Sequence, residues 1–255
     1  MAETGFDDSN GYVADGMVHI DPETLAQSLA EFGPGTGRGG DHDLSASVQI
    51  VIERASNVFN VSGVGLMLIG SEDQELRYVA STGATARVFE LAQIEVGAGP
   101  CIDSFVLGDL VRDEDMRSEP RWSELCDRLG DEPVRAVLGV PARVNGETVG
   151  TLNAFCERPH AWDESEVAAL VAYGHVLEGM LSSALAARDS GQLVEQLQHA
   201  LENRVAIERA VGLVMGRDRV DAVSAFNALR GQARSERRRV RDIADELLAA
   251  IDDHR

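Results

Sequence analysis

Residues Leu138 to Phe155 read LGVPARVNGETVGTLNAF. Leu138, Val140, Ala142 and Val144 alternate toward Asn145-Gly146, and an apolar run from Val149 to Phe155 returns. Asn-Gly accepts positive φ at both central positions of a tight turn, so this stretch predicts a β-hairpin. Pro141 has no N–H to offer a ladder, which predicts a bulge or an edge position there. A hairpin in place of a strand–helix–strand crossover makes the sheet antiparallel.

Upstream, Val64 to Ile69 and Leu76 to Ala80 flank the polar stretch Ser71 to Gln74 and read as a second hairpin. Before it, Leu44, Val48, Val51, Ile52, Ala55, Val58 and Phe59 recur at helical spacing. Between the hairpins the sequence predicts a helical segment near Thr85 to Leu91, a break at Gly97-Ala98-Gly99-Pro100, and a short helix from Cys101. A brief strand at Leu110-Val111 and a short helix over Trp122 to Leu129 follow. Together these elements predict an α+β fold, an antiparallel sheet flanked by helices.

Downstream, Asp163 and Glu166 form a capping box, and Trp162 can staple onto Val167. Val167, Leu170, Val171, Gly174, Leu177, Leu181, Ala184 and Leu185 hold helical spacing, and Leu193, Leu197, Leu201 and Val205 continue it beyond Ala187 to Gln192 (ARDSGQ). A stripe this long needs cover. A coiled-coil partner supplies it economically, which predicts a parallel homodimer with Gly191 as a possible hinge. Before Arg188 the chain's own sheet serves equally well. Three helical segments close the chain, over Leu193–Met215, Ala222–Gln232 with Asp221 as cap, and Arg237–Ile251. The divisions are then 1–43, a mostly disordered tail with a short helix capped by Asp21 and Pro22, 44–187, the sheet domain, and 188–255, an all-helical unit. The five glycines in Gly33–Gly40 make a linker, because no GK[ST] follows them.

The 255 residues are 44% hydrophobic and 26% charged, with a formal net charge of −20. An anionic surface repels phosphate, which excludes a protein that coats nucleic acid. Arg204 to Arg241 reverses the sign: ten arginines and four acids give +6, against −26 elsewhere. Alone, such a run is either a solvated helical face or a grip on an anion. All 23 bases are arginine, which codon bias produces without function and which also suits forked contacts to phosphate. Cys101, Cys126 and Cys156 are 25 and 30 residues apart, fitting neither a disulfide framework nor a metal pair, so reduced thiols are expected. His160 and His175 lack a ligand set, so no metal site is expected. Tyr173, His175 and Glu178 interrupt the longest apolar stretch, so no membrane span is expected. The acidic opening MAETGFDDSN points to the cytoplasm.

Residues 90–160, with ELAQIEVGAGPCIDS, DEDMRSEPRW and GVPARVNGETVGTLNAF, together with the helix from Asp163, resemble the GAF sensory domain. LQHALENRVAIERAVGLVM and AFNALRGQARSERRRVRDIADEL resemble the ANTAR domain, the RNA-binding module of transcription antitermination regulators. The resemblance covers roughly residues 44 to 250. It implies a GAF sensor followed by a three-helix ANTAR domain on a long linker helix. Its implied function is to bind, on a signal, nascent RNA bearing paired hairpins with short loops, so that a terminator does not form. Arg204, Ile207, Gly212, Met215, Ala225, Phe226, Leu229 and Arg230 match the ANTAR pattern. Val211 stands where lysine is usual, and Glu236-Arg237 replaces the polar pair before the last helix.

Hairpin loops offer splayed bases and regularly spaced phosphates, which aromatic rings and guanidinium forks suit. The candidate RNA contacts are therefore Arg230, Arg234, Arg237, Arg238, Arg239 and Arg241, with Ala225 and Phe226 as a platform for a loop base. Phe226 is equally able to pack with Leu229, Val240 and Ile243 in a three-helix core. In the sensor, Cys101 at a helix start is a candidate redox or covalent sensor or a buried packing residue, and Trp122 lines a ligand pocket or the core. No cofactor is assigned; the signal is an unidentified small molecule or a redox change. Residues 1–43, with nine acids against Arg38, are a candidate shield for the arginines. The competing reading is a sensory scaffold whose tail binds protein. No reductase cysteine motif, triad or carboxylate pair suggests an enzyme.

Overall fold

The structure is a computed structural model that describes residues 19–32, 44–70, 76–187 and 192–252. The tail up to Val18, the glycine run Gly33–Gly40 and the hinge position Gly191 lie outside the described residues. In chain order the elements are α1 (Pro22–Ala30), α2 (Leu44–Phe59), β1 (Gly63–Ile69), β2 (Leu76–Ser81), α3 (Ala84–Val96) and α4 (Pro100–Leu107). Then come β3 (Val111–Asp113), α5 (Ser123–Leu129), β4 (Ala136–Val144), β5 (Glu147–Cys156), α6 (Glu164–Ala187), α7 (Gln192–Asp218), α8 (Ala222–Glu236) and α9 (Val240–Asp252).

The strands form one antiparallel sheet in the order β2-β1-β5-β4-β3. Asn145 and Gly146, at φ 53° and 84°, turn β4 into β5 as the sequence predicts. β3 pairs with β4 only from Val137 to Gly139, and the register shifts between Ala142 and Arg143. Pro141 thus lies past the end of β3 and beside a ladder irregularity, where a missing N–H costs least. α2 and α6 cover one face of the sheet, with α1 packed on them, and α3 and α4 cover the other. α3 runs five residues past the expected Leu91, because it is Gly97, at φ 78° with its N–H bonded to the Gln93 carbonyl, that ends it.

The capping box at α6 forms: Asp163 accepts the Glu166 N–H and Glu166 accepts the Asp163 N–H, both at 2.9 Å. Its buried stripe, including Ala169, Leu170, Tyr173, Leu177 and Leu181, packs on β4 and α2. Among the described residues, α6 alone has the length and apolarity of a membrane span, and that stripe is a core face. α1 packs on α2 and α6, and the Ile20 N–H to Ser165 and the Ser28–Tyr173 hydroxyl bond tie this segment to α6. The described acids of the tail therefore sit on the face opposite α4, with Glu31 paired to Arg54.

The stripe in α7, expected to seek a coiled-coil partner, finds cover within the chain over part of its length. α7 packs on α6, β1 and β5, leaving Leu197 at 0% exposure and Leu193 and Leu201 half-buried within one chain, with Val205 exposed. An intrachain apolar surface covers a stripe without the loss of free motion that association entails. The rest of α7 forms a three-helix bundle with α8 and α9 around Ile207, Ala210, Val214, Leu229, Ala233, Val240, Ile243 and Ala244.

Candidate nucleic-acid interface

The arginine-rich stretch is a corner and not the start of a helix. α8 opens on the Asp221 carboxylate, which accepts the Ser224 N–H at 2.7 Å. It closes at Arg237, left-handed at φ 53°, where the N–H groups of Arg237 and Arg238 bond the carbonyls of Arg234 and Ala233. The expected last helix from Arg237 therefore begins at Val240, with the Arg239 carbonyl taking its first N–H bonds. This turn spreads Arg237, Arg238 and Arg239 across an exposed corner, with exposed Arg234 one turn earlier on α8. Arg238 bridges Glu236 at 3.0 Å and Glu246 at 2.7 Å, and these bonds hold its guanidinium above its usual pKa. Arg241 pairs with Asp245 at 2.8 Å and reaches the Glu202 carbonyl. Exposed pairs of this kind are weak, so a phosphate can compete for either arginine.

Three of the expected RNA contacts lie elsewhere. Ala225 is fully buried, Phe226 is 5% exposed and Arg230 is 4% exposed. Phe226 meets Phe105 of α4 edge-on, with ring centroids 6.0 Å apart, so it is a buried packing residue shared with the sheet domain and not an open platform. The Arg230 guanidinium donates to the Gly97 carbonyl at 3.2 Å, beyond the end of α3. On α7, Arg204 places its guanidinium 4.5 Å from the Phe105 ring centroid, bonds Glu208 at 2.8 Å and reaches the Phe105 carbonyl at 3.5 Å. Burial draws the Arg204 pKa down, opposed by Glu208. Two arginines of the bundle thus sit at the carboxyl ends of two helices of the sheet domain, where carbonyls lack helical partners and the dipole favours a cation. A cavity of about 190 Å³ opens alongside, walled by Ile69, Phe105, Arg204, Ile207, Met215 and Phe226 among others.

Under the sheet face covered by α3 and α4 lies a buried polar group that sequence reasoning missed. Glu90 and Gln93 of α3, Cys101 of α4 and Asn153 of β5 are each at most 1% exposed. Asn153 donates to Glu90 at 3.0 Å; Gln93 accepts the Cys101 N–H at 2.9 Å and donates to its Sγ at 2.8 Å. Glu90 Oε2 and Asn153 Oδ1 have no partner. Burial pushes the Glu90 carboxyl up to about 7. The signal for this group was present: Glu90 and Gln93 occupy positions of the Ala86–Phe89 face that an amphipathic helix fills with apolar residues.

The thiolate reading of Cys101 is corrected, since burial first and then nearby Glu90 hold its thiol well above the ordinary range. Trp122, 1% exposed, donates to Asp103 at 3.0 Å under the Arg121 guanidinium and lines none of the three described cavities. Among the described residues, no cluster of His, Cys, Asp and Glu could hold a metal ion.

Against known proteins, the family model described as GAF domain matches residues 41–181, and that described as ANTAR domain matches residues 195–248. No curated protein matches the chain. Similar solved structures include the free methionine-R-sulfoxide reductase of Neisseria meningitidis, 19% identical over 65% of this chain and 90% of that one, at a TM-score of 0.50. The GAF domain of an Acinetobacter phosphoenolpyruvate-protein phosphotransferase is 19% identical over 69% of this chain and 100% of its own, at 0.51. That of the Coxiella burnetii enzyme is 18% identical over 65% and 97%, also at 0.51. These likenesses establish the fold of the sheet domain alone.

Proposed function

Because the chain belongs to the GAF-domain family and carries an ANTAR domain at its carboxyl end, we propose that it is a signal-responsive transcription antitermination regulator that binds hairpin loops of nascent RNA. The observation that carries this reading is the exposed corner of Arg234, Arg237, Arg238 and Arg239 on a chain whose net charge is otherwise strongly negative. A phosphodiester backbone at a hairpin loop meets guanidinium forks there at low desolvation cost. Paired stem-loops call for two such bundles, so the reading includes a homodimer on the RNA, in the cytoplasm where transcripts emerge. The signal read by the GAF domain is an unidentified small molecule or a redox change, and the buried group of Glu90, Gln93, Cys101 and Asn153, with two unpartnered oxygens, is the part of its interior whose bonding such a signal would alter. Regulation, and not catalysis, is its role.

Binding of the purified protein to a tandem stem-loop RNA at several salt concentrations tests this. The expected result is binding that weakens with salt and is lost in R234A/R237A/R239A. Full binding by that triple variant would favour the reading in which the helical tail binds protein.

A further inference from the structure

Part of the surface that sequence chemistry assigns to RNA, Phe226 and Arg230 of α8, is covered by the GAF domain, and the contact has three parts. Phe226 rests edge-on against Phe105 of α4, the Arg204 guanidinium of α7 lies over the same Phe105 ring, and Arg230 reaches the Gly97 carbonyl. Each buried guanidinium has a helix carboxyl end for a partner, which offsets part of the cost of taking its charge out of water. The turn that holds Arg230 is itself fixed by Gln93: its carbonyl takes the Gly97 N–H at 2.7 Å and its side chain takes the Cys101 N–H at 2.9 Å. Gln93 belongs to the buried polar group whose Glu90 and Asn153 each keep an unpartnered oxygen. One residue therefore joins the sensor interior, through its side chain, to the turn that restrains α8, through its backbone carbonyl.

We propose that this contact is an autoinhibitory latch, in which the turn Gly97–Gly99 and Phe105 withhold Phe226 and Arg230 from RNA until a change at Gln93 moves the turn and releases α8. The inference rests on the RNA-binding reading above. A latch of this kind lowers apparent affinity by the fraction of molecules that are open, so releasing it tightens RNA binding without altering any RNA contact. Gly97 gives the means to release it from the sensor side. A Cβ there would stand 2.6 Å from an Arg230 guanidinium nitrogen, and asparagine tolerates the left-handed φ of 78° better than other side chains.

The test uses the full chain as wild type, G97N and F105L, the last removing the ring that Phe226 and Arg204 share while keeping an apolar side chain. Phenylglyoxal labelling read by mass spectrometry reports access to Arg230, with Arg237 and Arg239 as exposed controls, and binding to a tandem stem-loop RNA at fixed salt reports affinity. The expected result is Arg230 protected in wild type and labelled in both variants, with RNA affinity raised by about tenfold or more. Variants that expose Arg230 yet bind no tighter than wild type overturn the latch and leave the RNA reading standing. Arg230 labelled as fast in wild type as in the variants, or protected in both variants, also overturns it. Failure of all three proteins to bind RNA, with Arg230 exposed in the variants, overturns the RNA reading itself and the latch with it.

Discussion

Glu90 sits 1% exposed between α3 and the sheet, and its carboxyl is raised from 4.5 to about 7 by burial, against the opposing bond from Asn153. Between those values the folded chain keeps a proton that the unfolded chain has released, so stability falls as pH rises from about 4.5 to about 7 and then levels off. At 1.36 kcal/mol per unit the loss is on the order of 3 kcal/mol. E90Q is neutral throughout, so its unfolding free energy in urea should lose that slope and exceed wild type at pH 8; an unchanged slope would place the proton elsewhere. Gly65 faces the same carboxyl, and a Cβ there would stand 2.3 Å from Glu90 Oε1. G65A should therefore cost about 1–3 kcal/mol, read from urea midpoints, because the buried Glu90 oxygen must shift off the bond it accepts from Asn153.

At the scale of elements, α8 is defined by its two caps. Asp221 holds its first turn, and D221A should lower the melting temperature by an amount equivalent to about 1 kcal/mol. Arg237 holds its end in a left-handed conformation that glycine adopts without strain. R237G should keep or raise the melting temperature while reducing the salt dependence of RNA binding by about 0.7 in log–log slope, as one phosphate contact is lost. A destabilised R237G would mean that the arginine side chain, and not the backbone turn, holds the corner.

Across the whole molecule the arginines divide by accessibility. The corner residues are exposed, and Arg230 and Arg204 become exposed only if the bundle leaves the GAF domain. With about four phosphate contacts, log affinity should fall against log salt with a slope near −3, and a slope near zero would make the patch incidental. Released protein should show a steeper slope than latched protein, since Arg230 joins the contacts. Deletion of residues 1–43 tests the acidic shield. Its described part docks on α2 and α6, so RNA affinity should stay unchanged.

Local rules in the sequence determined the elements. Asn145-Gly146 set the central hairpin, Asp163 with Glu166 set the start of α6, and Asp21 and Asp221 set two further helix starts, because turns and caps are decided by a few neighbouring residues. The antiparallel sheet followed from the hairpins, and the long sequence motifs carried the resemblance to both domains. Only the tertiary structure decided what those elements touch. Leu197 is covered by its own chain, Phe226 lies on a ring 121 positions away in the sequence, and Arg230 bonds a carbonyl 133 positions away. The buried set around Glu90 likewise joins α3, α4 and β5. No periodicity encodes such meetings, since they depend on how two separately patterned domains dock, and that docking determines whether an arginine faces water or a helix end.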